Sequence, residues 1–272
     1  MNDKILVSCI VPVYNREKFI LRTLNSLHKQ EHRPLEIIIV NDGSTDCSEK
    51  KILEWKSIYE EKEFNIKYFR QINMGACHAR NLGMEKSSGE FIQFLDSDDT
   101  IEYNKISKQI LLMKQNKADV AYCDFIMKNH KNEIIKKENC GNILLRLALG
   151  WSVSIFTPLI RRESIINKVK WNTHLTQKQD KEFMFKVFIQ CKNIIYTPGY
   201  MCIYYLHDDI RISDRYYTSF PDFFLFFKSY LIYFIKYFSE IPQNNHIYIL
   251  LRLMFIPINA MKFCLNRLIK LI

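Results

Sequence analysis

The first 125 residues alternate between two kinds of hydrophobic pattern, and this alternation limits the folds that the chain can adopt. Short apolar runs rich in β-branched residues, such as 5–11 and 35–40, are typical of strands buried on both faces of a sheet. Between them lie longer segments with apolar residues at helical spacing, such as 17–30. Strands and helices that alternate through short loops indicate βαβ units. We therefore expect an α/β fold with a mainly parallel sheet flanked by helices.

The predicted elements divide the chain into a regular first part and a less regular second part. Strands are predicted at residues 5–11, 35–40, 66–69, 91–95, 119–125, 156–160 and 194–206, and helices at residues 17–30, 46–61, 75–86, 101–115, 142–149, 162–167 and 180–190. The periodicity weakens from about residue 129. We expect one domain over residues 1–215, with halves at 1–125 and 126–215, followed by a helical appendage over 216–272.

The chain of 272 residues carries a formal net charge of +10, which indicates an anionic partner. That partner is a nucleic acid, a membrane surface or a phosphorylated ligand. We expect no nucleic acid, because the chain has no base-reading motif and its aromatic residues lie in apolar runs rather than among lysines and arginines.

The cysteines and the first residues predict a chain that stays in the cytoplasm. The eight cysteines form no CxxC pair, which argues against a zinc ribbon, and several lie inside apolar runs. The apolar run at 5–11 is too short for a signal-peptide core and is followed by Pro12-Val13-Tyr14 rather than by a cleavage site. We expect reduced thiols in a reducing compartment.

Polar loops follow three of the predicted strands. They contain Tyr14-Asn15, Asp42-Gly43-Ser44 and Asp96-Ser97-Asp98-Asp99. Ligands of open α/β sheets bind beyond the carboxyl ends of the strands. These loops should therefore converge on one crevice, although they are far apart in sequence.

The run Asp96-Ser97-Asp98-Asp99 places three carboxylates within four residues. Carboxylates this close repel one another, and oxygen ligands on a short loop suit Mg²⁺ or Mn²⁺. A helix N-terminus, where aspartate is common, would account for one of the three. We favour a metal site.

Two further stretches have both a structural and a functional interpretation. Residues 41–46 fit a turn that caps the next helix, but Asp42 could instead accept a hydrogen bond from a nucleobase N–H. Residues 73–83 fit a small-residue helix packed closely on the sheet. Arg80 does not fit that interpretation, because its permanent charge calls for an anion, either a phosphate or a nearby aspartate.

Four motifs together resemble family 2 glycosyltransferases. They are, in the same order and at similar spacing as in that family, CIVPVYN at 9–15, EIIIVNDGSTD at 36–46, ARNLG at 79–83 and GEFIQFLDSDD at 89–99. The resemblance covers roughly the first hundred residues. It implies the nucleotide-sugar-binding GT-A fold, which is Rossmann-like, and inversion of the anomeric centre with the help of Mn²⁺ or Mg²⁺.

The resemblance also implies roles for individual residues. Pro12, Tyr14, Asn15 and Asp42 would surround the nucleoside of the donor, and Arg80 would lie beside the nucleotide. Asp96 would contact the ribose or sugar, and Asp98 would bind the metal that bridges the diphosphate. Asn41 departs from the family, in which many members have aspartate.

An inverting transfer also needs a base for the acceptor hydroxyl. The family places an aspartate of a Glu-Asp pair at the start of a later helix, and the match here is TQKQDKEF at 176–183, with Asp180 as the base and Gln179 in place of the usual glutamate. The alternative is that Asp180 only caps this helix. His207, in a stretch that resembles the closing loop of the family, is a second candidate ligand of the metal or diphosphate, or a solvated loop residue.

The C-terminal residues 220–272 are rich in aromatic and aliphatic side chains and hold six Lys or Arg against two Asp or Glu. Their last part has the pattern of a basic amphipathic helix, which suits a membrane interface or packing on the catalytic domain or on a partner in a homodimer. We favour peripheral membrane contact. No run of about 18 uncharged apolar residues predicts a membrane-spanning helix.

These patterns predict an inverting transferase that moves a sugar from a nucleoside-diphosphate sugar, most simply a UDP-sugar. The expected acceptor is a hydroxyl of a growing bacterial surface glycan, such as capsule or lipopolysaccharide, or of a lipid-linked sugar, at the cytoplasmic face of the inner membrane. The alternative is a membrane-attached nucleotide-binding or scaffold protein of the same fold without transferase activity.

Overall fold

The structure is a computed structural model, and it describes residues 4–149, 153–175, 178–206 and 220–250. The chain forms two compact units. The first comprises Met1–Asn139, Ser154–Trp171 and Asn193–Asp208, and the second comprises Cys140–Val153, Asn172–Lys192 and Asp209–Ile272. The units are interleaved in sequence, whereas the sequence predicts consecutive domains divided at residue 215. That division stays a prediction.

The strands and helices, each numbered along the chain, largely follow the hydrophobic pattern. The strands are β1 (Val7–Val13), β2 (Leu35–Asn41), β3 (Phe64–Arg70), β4 (Phe91–Phe94), β5 (Thr100–Ile101), β6 (Val120–Lys128), β7 (Ile134–Glu138), β8 (Leu159–Arg161) and β9 (Ile194–Tyr205). The helices are α1 (Ile20–His28), α2 (Ser48–Tyr59), α3 (Ala76–Lys86), α4 (Lys105–Asn116), α5 (Ile143–Ala148), α6 (Arg162–Ile165), α7 (Gln179–Gln190) and α8 (Phe220–Tyr237).

The first unit is built on one sheet, whose nine strands all come from the described residues. Their order is β3-β2-β1-β4-β8-β6-β9-β5, and β7 pairs with β6. The pairs from β3 to β4 are parallel, as is β6 with β9, while β8, β5 and β7 pair antiparallel with their neighbours. The predicted α/β fold with helices around a largely parallel sheet is confirmed, and the later strands make the sheet mixed.

Continuous apolar runs form the centre of this sheet because both of its faces are covered. Every residue of β1 and β2 is buried. Alternate β1 side chains such as Val11 join the core that includes Leu24 and Trp55 of α1 and α2. Ile10 meets α3 instead, and a Cβ atom on Gly83 would lie 2.4 Å from the Ile10 Cγ2 atom. The small-residue helix therefore packs directly on β1, as the sequence predicts.

A buried carboxylate ties the amino ends of the strands together. Glu36 is 2% exposed and accepts hydrogen bonds from Lys67 Nζ at 2.6 Å, from the Ser8 hydroxyl, and from the Ser88 amide and hydroxyl at 2.5 and 2.8 Å. Burial alone would raise the pKa of Glu36, but these donors outweigh it, and the pKa lies below its ordinary value. The ionised form of Glu36 therefore stabilises the fold.

The second unit is helical in its described part and contains α5, α7 and α8. Helix α7 buries Phe183, Phe185 and Phe188 at once, so its apolar surface extends around most of the helix. The Asn245 amide donates to the carbonyls of Ile189 and Cys191 at the end of α7, both at 3.0 Å. Among the described residues, no helix combines the length and the apolar character needed to cross a membrane.

Candidate active site

The loops that follow β1 and β2 are joined by hydrogen bonds, as their predicted convergence requires. The Asn15 amide donates to the Ser44 hydroxyl at 3.0 Å, and the Thr45 amide donates to Asn15 Oδ1 at 2.9 Å. The Arg16 amide donates to the Ser48 hydroxyl at 2.8 Å. Asn15 has φ +50°, a left-handed conformation that asparagine tolerates better than most residues. This side chain therefore holds the two loops together.

Pro12 and Tyr14 occupy the end of β1 beside these loops. The Ile10 carbonyl accepts from the Leu95 amide on the β4 side, and the Val13 carbonyl accepts from the Asp42 amide on the β2 side. Because successive backbone groups alternate in direction, Pro12 faces the β4 side, beyond the last β4 partner at Ile10. The missing N–H of proline thus costs no ladder bond. Tyr14 is 43% exposed, so its ring is accessible to a ligand.

Asp42 organises the loop that leads into α3. Its carboxylate is buried and accepts from Gln71 Nε2 at 2.6 Å, from the Met74 amide at 2.9 Å and from the Gly75 amide at 2.8 Å. Gly43 has φ +74°, and a Cβ atom there would lie 2.9 Å from the Asn73 backbone nitrogen, so only glycine fits this turn. Contact of Asp42 with a nucleobase stays a prediction.

Asn41 uses both ends of its amide, which gives a physical reason for its departure from the family motif. Its Nδ2 donates to the Tyr68 hydroxyl at 2.8 Å, and its Oδ1 accepts from the Ser44 amide at 2.9 Å. The Tyr68 hydroxyl donates to Glu49 at 2.9 Å. Burial, together with Glu49, raises the pKa of Tyr68 to about 12. A carboxylate at position 41 would have no proton to donate to this tyrosine.

Arg80 bonds to an aspartate, one of the two anions that the sequence suggests for it. The guanidinium is buried, and its Nη2 lies 2.7 Å from Asp96 Oδ1. It also lies over the Trp171 ring, 4.4 Å from the centroid. Trp171 is not among the residues predicted for the site, because 75 residues separate it from Asp96 and no local pattern marks it. Its ring fixes the guanidinium plane and thereby the Asp96 carboxylate.

Two more arginines of the first unit approach the acidic loop, and the sequence does not reveal either of them. Arg16 Nε lies 3.3 Å from the Asp98 carboxylate. Arg22 Nη2 donates to the Asp98 carbonyl at 2.7 Å, and the Arg22 guanidinium lies 3.5 Å from the centroid of the Tyr205 ring. The end of β9 thus contacts the loop that follows β4.

The three neighbouring carboxylates relieve their repulsion in two different ways. Asp96 and Asp98 each face an arginine. Asp99 is buried, and this burial, together with the charges of Asp98 and Asp96, raises its pKa well above the ordinary value. The Tyr205 amide donates to Asp99 Oδ1 at 3.0 Å. Asp99 is therefore a structural residue that joins the loop to β9, and Asp96 and Asp98 are the partly exposed pair.

The partly exposed carboxylates of Asp96 and Asp98 are oxygen donors of the kind that Mg²⁺ and Mn²⁺ prefer. The described ranges contain no group of three or more histidine, cysteine or acidic side chains arranged to hold a metal. Mg²⁺, however, is usually bound through one or two carboxylates, substrate phosphates and water. Asp98 is a partly exposed carboxylate of this kind, and metal binding by it stays a prediction. The second candidate ligand, His207, lies outside the described residues.

Asp180 is the second residue of α7, in the second unit, and its side chain is exposed. Lys178 occupies the N-cap position with φ +55°, so Asp180 lies in the first turn rather than at the cap itself. Gln179, which replaces the glutamate of the family motif, donates from its side chain to the Leu175 carbonyl at 2.5 Å. No described side chain holds the Asp180 carboxylate, which is therefore open to solvent.

The sequence profile of Glycosyl transferase family 2 matches residues 8–188, a range that contains all four motifs and Asp180. The chain belongs to this family. An uncharacterized glycosyltransferase of Haemophilus influenzae is 35% identical over 163 residues, which are 59% of this chain and 64% of that protein. The chain thus spans less than two thirds of the length of this curated relative.

Solved structures of glycosyltransferases share the fold. S. aureus TarS 1-349 in complex with UDP-GlcNAc superposes with a TM-score of 0.72 and 22% identity, over 92% of this chain and 71% of that one. The mannosyltransferase PcManGT from Pyrobaculum calidifontis, in complex with GDP-Man and Mn²⁺, gives a TM-score of 0.62 and 16% identity, over 92% and 69% of the two chains. The predicted GT-A architecture is confirmed.

Proposed function

We propose that this chain is an inverting glycosyltransferase that moves a sugar from a UDP-sugar to a hydroxyl group of a cell-surface glycan or a lipid-linked acceptor. The observation that carries the proposal is the placement of the motif residues at the carboxyl ends of β1, β2 and β4. There the Asn15 and Asp42 loops and the Arg80–Asp96 pair lie on one unit. This is the edge at which α/β sheets bind nucleotides.

The donor roles proposed here rest on the position of these side chains at the carboxyl ends of the strands. The half-exposed Tyr14 ring packs near the base, and Pro12, Asn15 and Asp42 shape the nucleoside site around it. Asp96, held by Arg80, accepts hydrogen bonds from the ribose or sugar hydroxyls. Arg80 places a positive charge near the nucleotide, which lowers the electrostatic cost of bringing a diphosphate to this acidic loop.

Asp98 would hold Mn²⁺ or Mg²⁺, and His207 is a further candidate ligand. The bound ion would neutralise charge on the departing diphosphate. Two features support this assignment. Asp96 and Asp98 are both partly exposed, and the PcManGT structure contains Mn²⁺ together with its sugar nucleotide.

Asp180 is the proposed base. Its carboxylate takes the proton of the acceptor hydroxyl while the hydroxyl oxygen forms the new bond to the anomeric carbon. The bond from that carbon to the nucleoside diphosphate breaks on the opposite side, so the configuration inverts and no enzyme-bound intermediate forms. The exposure of Asp180 and the lack of a described partner for its carboxylate support this role.

Residues 220–272 are the proposed membrane contact, at the cytoplasmic face of the inner membrane. In the described part of this segment, Ile232, Ile235, Ile247 and Leu250 are exposed and Lys228 and Lys236 add positive charge. Exposed aliphatic side chains mixed with lysines suit the interface of an anionic bilayer. The basic amphipathic stretch predicted at 259–270 lies outside the described residues.

The proposal is tested by incubating the purified chain with a panel of nucleoside-diphosphate sugars, Mn²⁺ and acceptor glycans, and identifying products by mass spectrometry. We expect transfer from a UDP-sugar, loss of transfer with EDTA and recovery with Mn²⁺. The anomeric configuration of the product, read by NMR, should be opposite to that of the donor. Tight binding of UDP without transfer or hydrolysis of any donor would favour a scaffold protein instead.

A further inference from the structure

The second unit contains a cavity of about 280 Å³ that none of the catalytic assignments uses. Its wall is formed by side chains of α7, of α8 and of the segment before α7. The lining residues include Lys186, Lys228, Lys236, His174, Tyr233 and Tyr237. The volume approaches the lower end of the range for small-molecule sites. Three lysines around one small cavity are the feature to be explained.

Lys186 is the inner lysine, and its charge is balanced. It is 7% exposed and pairs with Glu182, which is fully buried one helical turn earlier on α7. Lys186 Nζ donates to the Ser229 hydroxyl at 2.9 Å, and that hydroxyl donates to Glu182. The charges of Lys186 and Glu182 therefore cancel, and Lys186 and Ser229 both line the cavity.

Lys228 and Lys236 supply the net charge. They are exposed and stand eight residues apart on α8, about 12 Å along the helix axis, on the same face as Ile232. No acidic side chain in the described part of the chain pairs with either of them. Both lysines line the same cavity, so an anion bound there would be attracted by two positive charges.

The remaining wall supplies neutral donors and aromatic surface. Asn172 Nδ2 lies 3.3 Å from the Ser229 hydroxyl oxygen. Lys186 Nζ is 5.2 Å from the Tyr233 ring centroid, and Lys236 Nζ is 5.0 Å from that of Tyr237. Lys228 and Lys236 are thus the ammonium groups of this lining that have no acidic partner among the described residues, and aromatic rings lie beside them; these are contacts that a phosphate group with an organic substituent can use.

We propose that this cavity is a binding site for the phosphate group of an anionic ligand, with Lys228 and Lys236 as its charged contacts. The site lies within the second unit and does not depend on the donor assignments made for the first. The ligand is a phosphate ester, whose source is either a lipid headgroup or a soluble molecule.

The test compares the full chain with a double variant, Lys228→Gln with Lys236→Gln. The matched control is Lys108→Gln with Lys114→Gln, which removes two exposed lysines from α4 and changes the net charge equally. Inorganic phosphate is titrated by calorimetry in saturating UDP, so that a nucleotide site does not contribute. We expect the pocket variant to bind phosphate at least about tenfold more weakly than wild type, and the control to bind as wild type does.

A second arm uses sedimentation with vesicles of phosphatidylglycerol and phosphatidylcholine in equal parts. The site is assigned to a lipid phosphate if the wild-type chain binds the vesicles, inorganic phosphate competes with this binding, and the Lys228/Lys236 double variant loses it. Phosphate binding without vesicle binding assigns it to a soluble ester. Both results support the site. The proposed site is overturned if the wild-type chain and the double variant bind both probes equally, or if neither probe binds. Thermal unfolding of the variants shows whether each is folded.

Discussion

The acidic loop after β4 shows how single residues settle an electrostatic conflict. Three adjacent carboxylates at 96, 98 and 99 would repel one another, and the sequence suggests a metal as the remedy. In the structure Arg80 and Arg16 already balance two of them, and burial raises the pKa of Asp99 well above its ordinary value. The arginine partners of Asp96 and Asp98 therefore balance part of the negative charge of this loop within the protein itself.

Replacing Arg80 with lysine should weaken donor binding. A lysine retains the charge but cannot keep both the bond to Asp96 and the flat contact with Trp171. We expect the Kd for the donor nucleotide to rise about tenfold, the equivalent of one lost charge-assisted hydrogen bond. Titration calorimetry measures it. Arg70→Lys, at the exposed pair with Glu49, serves as the control, and an unchanged Kd in Arg80→Lys would contradict the assigned role.

At the residue scale, motifs within one stretch of chain are recognisable in the sequence, whereas contacts between distant residues are not. Asp42, Asp96 and Asp98 belong to continuous motifs, so their common location follows from the parallel sheet. The backbone amide of Tyr205 donates a hydrogen bond to Asp99, 106 residues earlier in the chain, and no local sequence pattern indicates this contact. Such partners are visible only once the chain has folded.

The strands of the sheet follow from hydrophobic pattern when they are buried on both faces. β1 and β2 consist of buried residues throughout, so their runs stand out in the sequence. β5 has only two residues, and β7 is mostly exposed and contains two lysines, so neither produces a recognisable run. The mixed half of the sheet is therefore less predictable than the parallel half.

At the scale of the sheet, Glu36→Gln should lower the free energy of unfolding by about 1–3 kcal/mol at neutral pH, because the glutamine leaves buried donors unsatisfied. The folded-state pKa of Glu36 is lowered, so its contribution exists above the ordinary carboxyl pKa and disappears as pH falls through the folded value. The difference between variant and wild type should therefore shrink in acid.

Urea unfolding at neutral and at acidic pH measures this difference. Glu54→Gln, on the exposed face of α2, should change little at either pH. A cost for Glu36→Gln that is the same at both pH values would show that the ionised carboxylate is not what stabilises the amino ends of the strands.

Because α3 packs closely on β1, we expect Gly83→Ala to change stability in the direction opposite to that expected from helix propensity. Alanine for Gly83 would ordinarily stabilise a helix by up to about 1 kcal/mol. Here the added methyl meets the Ile10 Cγ2 atom, so we expect a net loss of about 1–3 kcal/mol. Thermal or urea unfolding measures it. Adding Ile10→Ala should cost less than the two single changes together, and strict additivity would mean that the contact is not the cause.

At the scale of the whole molecule, the net charge of +10 acquires specific uses. Arg16, Arg22 and Arg80 contact the acidic loop of the first unit. Lys228 and Lys236 stand at a cavity of the second unit. These are five of the 39 lysines and arginines of the chain. The specificity for sugar and acceptor depends on side chains without a motif, which is why the sequence predicts the class of reaction but no particular glycan.

The central claim, that Asp180 is the base of an inverting transfer, is tested most directly by the single-turnover rate of Asp180→Asn. Asparagine has nearly the shape of aspartate without its charge, so the base is removed with little change in the packing of α7. We predict a rate lower by about 100-fold to 10,000-fold with unchanged donor affinity. Glu163→Gln, an exposed change on α6, should react like wild type. Sugar transfer by Asp180→Asn at the wild-type rate would contradict the account.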